Sequence, residues 1–99
     1  MIYIFHLVDK PDSAALRQRI RPEHKAYLAQ KAEQIAFAGP LVAEDGQTMI
    51  GSLLAIDFDS LPAAQAWLAD EPFTRAGVYA TSSVHAFLNL WPQKAGFPA

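Results

Sequence analysis

The chain has no cysteine. That excludes a disulfide framework, a thiolate nucleophile and any cysteine ligand to a metal. Positive charge is scarce too: eight Lys and Arg against ten Asp and Glu leave a formal charge of −2. Without a basic footprint, nucleic acid is not an expected partner. Long apolar runs are also missing. Met1–Val8 carries no basic leader and stops at Asp9-Lys10, too short for a signal peptide or a membrane span. No membrane partner is expected, and the cytoplasm is the expected compartment. There is no G-x-S-x-G elbow for a serine nucleophile and no glycine-rich phosphate loop. His6, His24 and His85 show no ligand spacing, so neither a metal nor a cofactor is expected.

What is present is apolar chain in short lengths. At 99 residues and 52% apolar composition the sequence reads as one domain, 1–99, with a core to about residue 87 and a tail over 88–99. Met49–Phe58 is a run rich in Leu and Ile, bounded by turn residues, and reads as a buried strand. Asp57, Asp59 and Ser60 offer caps for a helix over Pro62–Asp70, which Glu71-Pro72 must break. A last helical turn then runs to Gly77, where a left-handed stop is expected. Ile2–Val8 is a strand with Tyr3, Phe5 and Leu7 on one face and Ile2, Ile4, His6 and Val8 on the other.

Ser13 is the expected cap of a helix whose stripe is Leu16, Ile20, His24 and Leu28. Pro22 predicts a kink or two short helices near Arg21. Arg17, Arg19 and Arg21 alternate around this helix and read as a solvated face. Ile35–Val42 is a strand interrupted by Gly39-Pro40, hence bulged or at an edge. Asp45-Gly46 marks a hairpin back into Met49–Phe58. Val78–Phe87 is the fourth strand, with Val78, Ala80, Val84 and Ala86 facing one way and Tyr79, Thr81, Ser83 and His85 the other. In the tail, Leu90, Trp91 and Phe97 need an apolar seat. The order β-α-β-β-α-β is the split βαβ plan of the ferredoxin-like α+β fold: a four-stranded antiparallel sheet with helices on one face. Two helices cover only that face, yet two of the strands are apolar on both. A homodimer through the sheet faces is therefore expected.

His24 is the most informative residue, because it replaces an apolar side chain on an inward stripe. A buried histidine serves as well in a core, satisfied by a carbonyl or a tyrosine. Two neighbours favour a site. Arg21, one turn earlier, presents a cation to the same mouth, and Asp70 and Glu71 bring carboxylates to the helix break. A carboxylate on one ring nitrogen orients the ring and strengthens the other nitrogen as a base. Asp70 and Glu71 have a second role open to them, as the cap of the helix at Pro72. Ser52, beside Gly51, is placed to bond a substrate oxygen or merely to allow close packing. His24→Leu is expected to leave the dimer folded, with stability unchanged or raised by ~0.5–2 kcal/mol, while ligand turnover or binding is lost.

Arg21-x-x-His24, Ala38-Gly39-Pro40, Asp45-Gly46, Gly51-Ser52, Ala66-Trp67, Pro72-Phe73 and Ala76-Gly77-Val78-Tyr79 occur in the order and spacing of YCII-related (YciI-like) proteins. The chain resembles that family from Ile2 to Phe87. The resemblance implies a ferredoxin-like dimeric α/β barrel and a pocket built around a His–Asp pair. It further implies kinship with an enzyme that removes chloride from a chlorinated hydroxyhydroquinone, and more distantly with muconolactone isomerases. By position the family histidine is His24. The family aspartate falls on Glu71, with Asp70 beside it as the alternative, and the usual Pro-Phe at the end of the last strand is Ala86-Phe87.

The functional expectation is a small cofactor-independent enzyme. His24 and Glu71 or Asp70 would carry acid–base chemistry on a small aromatic, phenolic or lactone-like ligand, with Arg21 and Ser52 holding an anionic oxygen. The alternative is a non-catalytic module that binds a small molecule, or dimerises, with the same pocket.

Overall fold

The structure, a computed structural model, describes residues 1–91, so Phe97 lies outside the described residues. The elements are β1 (Ile2–Asp9), α1 (Ala14–Ala29), β2 (Ile35–Val42), β3 (Met49–Asp57), α2 (Leu61–Ala69), α3 (Pro72–Ala76) and β4 (Tyr79–Phe87). The strands form one antiparallel sheet in the order β2-β3-β1-β4, with the helices on one face. This is the ferredoxin-like α+β arrangement, and β2, with its Gly39-Pro40, takes an edge as its proline requires. Among the described residues no helix is long and apolar enough to cross a membrane.

Period-2 alternation builds the core. Tyr3, Phe5 and Leu7 of β1 stand beside Ile56, Leu54 and Ser52 of β3, all buried beneath the helices. Trp67 of α2 closes over them, its ring 5.4 Å from Phe5 and 5.8 Å from Phe58. The opposite face carries Ile2, Ile4 and Val8 of β1, Leu53 of β3 and Phe37 and Leu41 of β2, half-buried with no helix above them among the described residues. Gly51 of β3 lies tight against β1: a Cβ there would lie 2.3 Å from the Leu7 carbonyl oxygen. Only glycine allows that approach.

The structure departs from four local expectations. Of the kink and the two short helices expected near Pro22, the two short helices are excluded, since α1 is a single element with Pro22 inside it. Pro22 and Gln18, whose carbonyl loses its helical partner to the proline, lie on the exposed side of α1. Ser13 stands at the N-cap of α1, but its hydroxyl donates back to the Lys10 carbonyl at 2.7 Å instead of accepting from the helix. In β4 the ladder against β1 slips between Val8 and Asp9, so Tyr79, expected to share a face with Thr81, turns to the helix side and is buried. That bulge is what brings a phenol to the site. Leu90 and Trp91, expected to need an apolar seat, are exposed, at 75% and 87%.

Candidate functional site

α3 is five residues long and has a defined stop and start at both ends. Glu71 is its N-cap, with its side chain accepting from the Thr74 N–H at 3.3 Å. Pro72 occupies the first turn, where its missing N–H costs nothing. Gly77 ends the helix at φ 80°, ψ 28°, a left-handed residue whose N–H bonds back into the turn. These devices fix Glu71 and Phe73 against α1.

α1 supplies the facing side chains. His24 Nδ1 and Glu71 Oε1 are directly hydrogen-bonded, with Glu71 fully buried and His24 8% exposed. A carboxylate accepts, so the ring donates through Nδ1, and in the neutral imidazole the other nitrogen carries the lone pair. That nitrogen has no protein partner among the described residues, and His24 lines a cavity of about 190 Å³. The imidazole also stacks on Phe73, centroids 4.0 Å apart and planes 15° from parallel. Position and rotation of the ring are thus both fixed.

Glu71 therefore caps the helix and pairs with the histidine at once, one oxygen for each. Asp70 is exposed, ends α2 as its C-cap, and takes no part in the pair. Of the two carboxylates considered, Glu71 is the one bonded to His24. Arg21 is exposed at the cavity mouth and shares the lining with His24. Ser52 is buried in the floor. His6 and His85 are exposed on the sheet face away from the helices, so they do not converge with His24.

Arg17 is the residue that sequence reasoning missed. Expected on a solvated face, it is 5% exposed. Its Nη1 donates to both oxygens of Asp9, at 2.9 and 3.1 Å, and its Nη2 to the Gly51 carbonyl at 2.9 Å and the Ser52 hydroxyl at 2.8 Å. The guanidinium lies 4.6 Å from the Phe73 ring centroid, a cation–π contact on the ring that His24 stacks against. A signal existed: Arg17 precedes His24 by two helical turns and so shares its face. Burial pushes the Asp9 carboxyl above its usual range, although Arg17 pulls it back.

Tyr79 stands beside Ser52, its hydroxyl 3.1 Å from Ser52 Oγ. Burial lifts that phenol well above its usual range; the bond to Ser52 pulls it back in part, and Glu71 adds to the rise. Tyr79 therefore stays a donor at any working pH. With Tyr79 donating, Ser52 keeps its own proton for a ligand oxygen. The Tyr27 hydroxyl is raised as well, by burial and then by Asp70 and Glu71. Unfolded tyrosines ionise near pH ~10 while these two stay neutral, so their contribution is intact below that pH and lost above it. Urea denaturation across pH ~9–12 should show stability falling, with a shallower fall in Tyr79→Phe. An unchanged slope would mean that Tyr79 is not shielded as described.

The model of the YCII-related domain matches residues 1–88. Protein YciI of Escherichia coli O6:H1 is 37% identical over 98 residues, covering 92% of this chain and all of that protein. An uncharacterised protein of Haemophilus influenzae is 35% identical over the same shares. Among solved structures, 5-chloro-2-hydroxyhydroquinone dehydrochlorinase (TftG) of Burkholderia phenoliruptrix, in complex with 2,5-dihydroxybenzoquinone, superposes with a TM-score of 0.83. The two are 27% identical, and the match covers 89% of this chain and 94% of that one.

Proposed function

This chain belongs to the YCII-related domain family, and from that premise we propose that it is a small cofactor-independent enzyme moving protons on a small aromatic, phenolic or lactone-like ligand. The observation that carries the reading is the buried His24–Glu71 pair, with the second ring nitrogen unengaged at the cavity. That nitrogen takes a proton from a carbon next to a carbonyl, and the electron pair moves into the carbonyl. In an isomerisation the proton returns at another carbon; in an elimination a leaving anion departs instead. Glu71 orients the imidazole and stabilises the imidazolium, while Arg21 and Ser52 hold the oxygen that gains charge. Support for an elimination comes from the dehydrochlorinase of the same fold. A positioned base of this kind accelerates such steps by ~10²–10⁴-fold.

The test is proton–deuterium exchange and product formation over a panel of phenols, enol lactones and halogenated hydroquinones, followed by NMR. His24→Gln keeps an N–H for Glu71 but offers no base. It should lose ~10²–10⁴-fold in turnover while retaining its ligand. Loss of the ligand along with turnover would point to a binding module instead.

The second part of the proposal is a homodimer. The open sheet face is apolar at Ile4, Val8, Leu53 and Phe37, and a second copy of the same face covers it with matched chemistry. Sedimentation at micromolar concentration should give about twice the 10.9 kDa chain mass. A well-folded monomer there would remove the face-to-face arrangement.

A further inference from the structure

Ser52 can give a hydrogen bond to a ligand but cannot accept one. A hydroxyl oxygen accepts at two lone pairs and donates one proton. Arg17, which only donates, fills one lone pair from Nη2 at 2.8 Å. Tyr79 fills the other at 3.1 Å. The direction of that second bond follows from the burial of the phenol. The Tyr79 hydroxyl has no other partner among the described residues, so a donating Ser52 would leave the tyrosine proton buried without an acceptor. What remains on Ser52 is its own proton, and Ser52 lines the hollow at His24. A neutral hydroxyl brought there can accept that proton, but its own hydrogen has to go elsewhere. Among the side chains lining the hollow, only His24 has an oxygen or nitrogen free to take it, and that would occupy the base. An oxygen that has already lost its hydrogen meets no such conflict.

Charge points the same way. Arg17, Arg21 and Lys25 recur every four residues along α1, and all three line the hollow. No carboxylate lines it, and Glu71 is fully buried outside the lining, bonded to the ring. Asp9 answers Arg17, whereas Arg21 and Lys25 make no ion pair among the described residues. Like charges four residues apart weaken a helix slightly, and an anion held beside both removes that cost. The hollow, at about 190 Å³, takes one ring with small substituents, since a cavity of ~150 Å³ holds benzene.

We infer that the ligand is an acidic phenol or enol that binds as its anion, with the charged oxygen on the Ser52 proton and in the field of Arg21 and Lys25. Tyr79 is then a positioning residue, which keeps Ser52 a donor. The inference rests on the reading of the His24 cavity as a ligand site, and it narrows that reading to ligands with an ionisable hydroxyl. A carboxylate is the poorer match, because it brings two oxygens to a floor with one proton to give.

The probe is 4-nitrophenol, which ionises near neutrality and is yellow only as the anion, so its charge on the protein is read by absorbance. With the full chain in excess, its ionisation midpoint should fall by about one pH unit, equivalent to about tenfold tighter binding of the anion than of the neutral form. Added salt should shrink the shift, since Arg21 and Lys25 are exposed. Lys25→Gln should weaken anion binding about twofold, and Arg19→Gln, an exposed cation outside the lining, should leave it unchanged. Ser52→Ala should weaken it about fivefold. Should that variant fail to fold, because the Arg17 and Tyr79 donors lose their acceptor, Tyr79→Phe carries the test. There the Ser52 hydroxyl is free to turn a lone pair to the ligand. The neutral probe gains, and the midpoint returns at least halfway while the anion keeps its affinity. A merely structural Tyr79 would weaken both forms alike and leave the midpoint where it was.

A midpoint that is unmoved or raised overturns the inference, as does a probe that fails to bind, or a full shift in Tyr79→Phe. Benzoate competing at least as well as the probe would assign the hollow to carboxylates instead. A shift abolished in His24→Gln would mean that the probe had merely passed its proton to the imidazole, which also overturns it. The fate of the proposed activity is separate. Anion binding that survives in His24→Gln, with no His24-dependent proton transfer on any ligand, sinks the enzyme and leaves the anion site standing. Turnover confined to ligands without an acidic hydroxyl does the reverse.

Discussion

A His24→Leu protein is expected to lose about 3 kcal/mol of stability. The apolar stripe of Leu16, Ile20 and Leu28 suggests the opposite, since a leucine continues it. The structure reverses that expectation through Glu71, which is fully buried with one oxygen on His24 and the other on the Thr74 amide. Removing the imidazole leaves a carboxylate in the core with half of its bonding gone, and a buried charge without its partner is costly. Leucine would replace the packing on Phe73 but could not supply a donor. Urea denaturation measures the loss. Adding Glu71→Gln to His24→Leu should recover a large part of it, because the neutral amide tolerates the apolar neighbour and its oxygen can still cap α3. A single mutant as stable as the parent would show that Glu71 does not depend on the ring.

Arg17→Met is expected to cost as much or more, about 3–5 kcal/mol. For a domain whose total stability is of the order of 5–15 kcal/mol, that is a large share. The guanidinium holds both oxygens of Asp9 and two groups of β3, and it rests on Phe73. Methionine fills the volume and satisfies none of them. Asp9, raised by burial and restrained by Arg17, would then rise further and take up a proton. Replacing both members, as Asp9→Leu with Arg17→Met, should recover most of the loss, since a buried ion pair exchanges for apolar residues at little cost. A change within ~1 kcal/mol in Arg17→Met alone would mean that solvent reaches the pair.

These two residues mark where the sequence could be read and where it could not. Tyr3, Phe5 and Leu7 announce their common face because strand periodicity is local. His24 was legible for the same kind of reason, as one polar residue in an apolar stripe, whereas Pro72 marked a helix start but left Asp70 and Glu71 both open, and only the family resemblance singled out Glu71. Arg17 was not. A buried arginine is written in the same letter as a solvated one, and what buries it is Asp9 at the end of β1 and two groups of β3, reached only through the fold. Tyr79 escaped because a bulge breaks the alternation that assigns strand faces, and nothing in Tyr79-Ala80-Thr81 announces the slip. Pro22 left a kink and a break both open: its effect on a helix depends on whether the freed carbonyl meets water.

The double engagement of Glu71 has a kinetic side. A carboxylate bonded at both oxygens cannot swing, and a ring stacked on Phe73 at 15° cannot turn without giving up the stack. When a proton arrives at or leaves such an imidazole, almost no protein dipole near it has to move. The reorganisation that bulk water would have to make around a nascent cation is completed here during folding. Speed at this site would then be set by the arrival and departure of ligand, and by the approach of its carbon to one nitrogen, rather than by any motion of the pair itself.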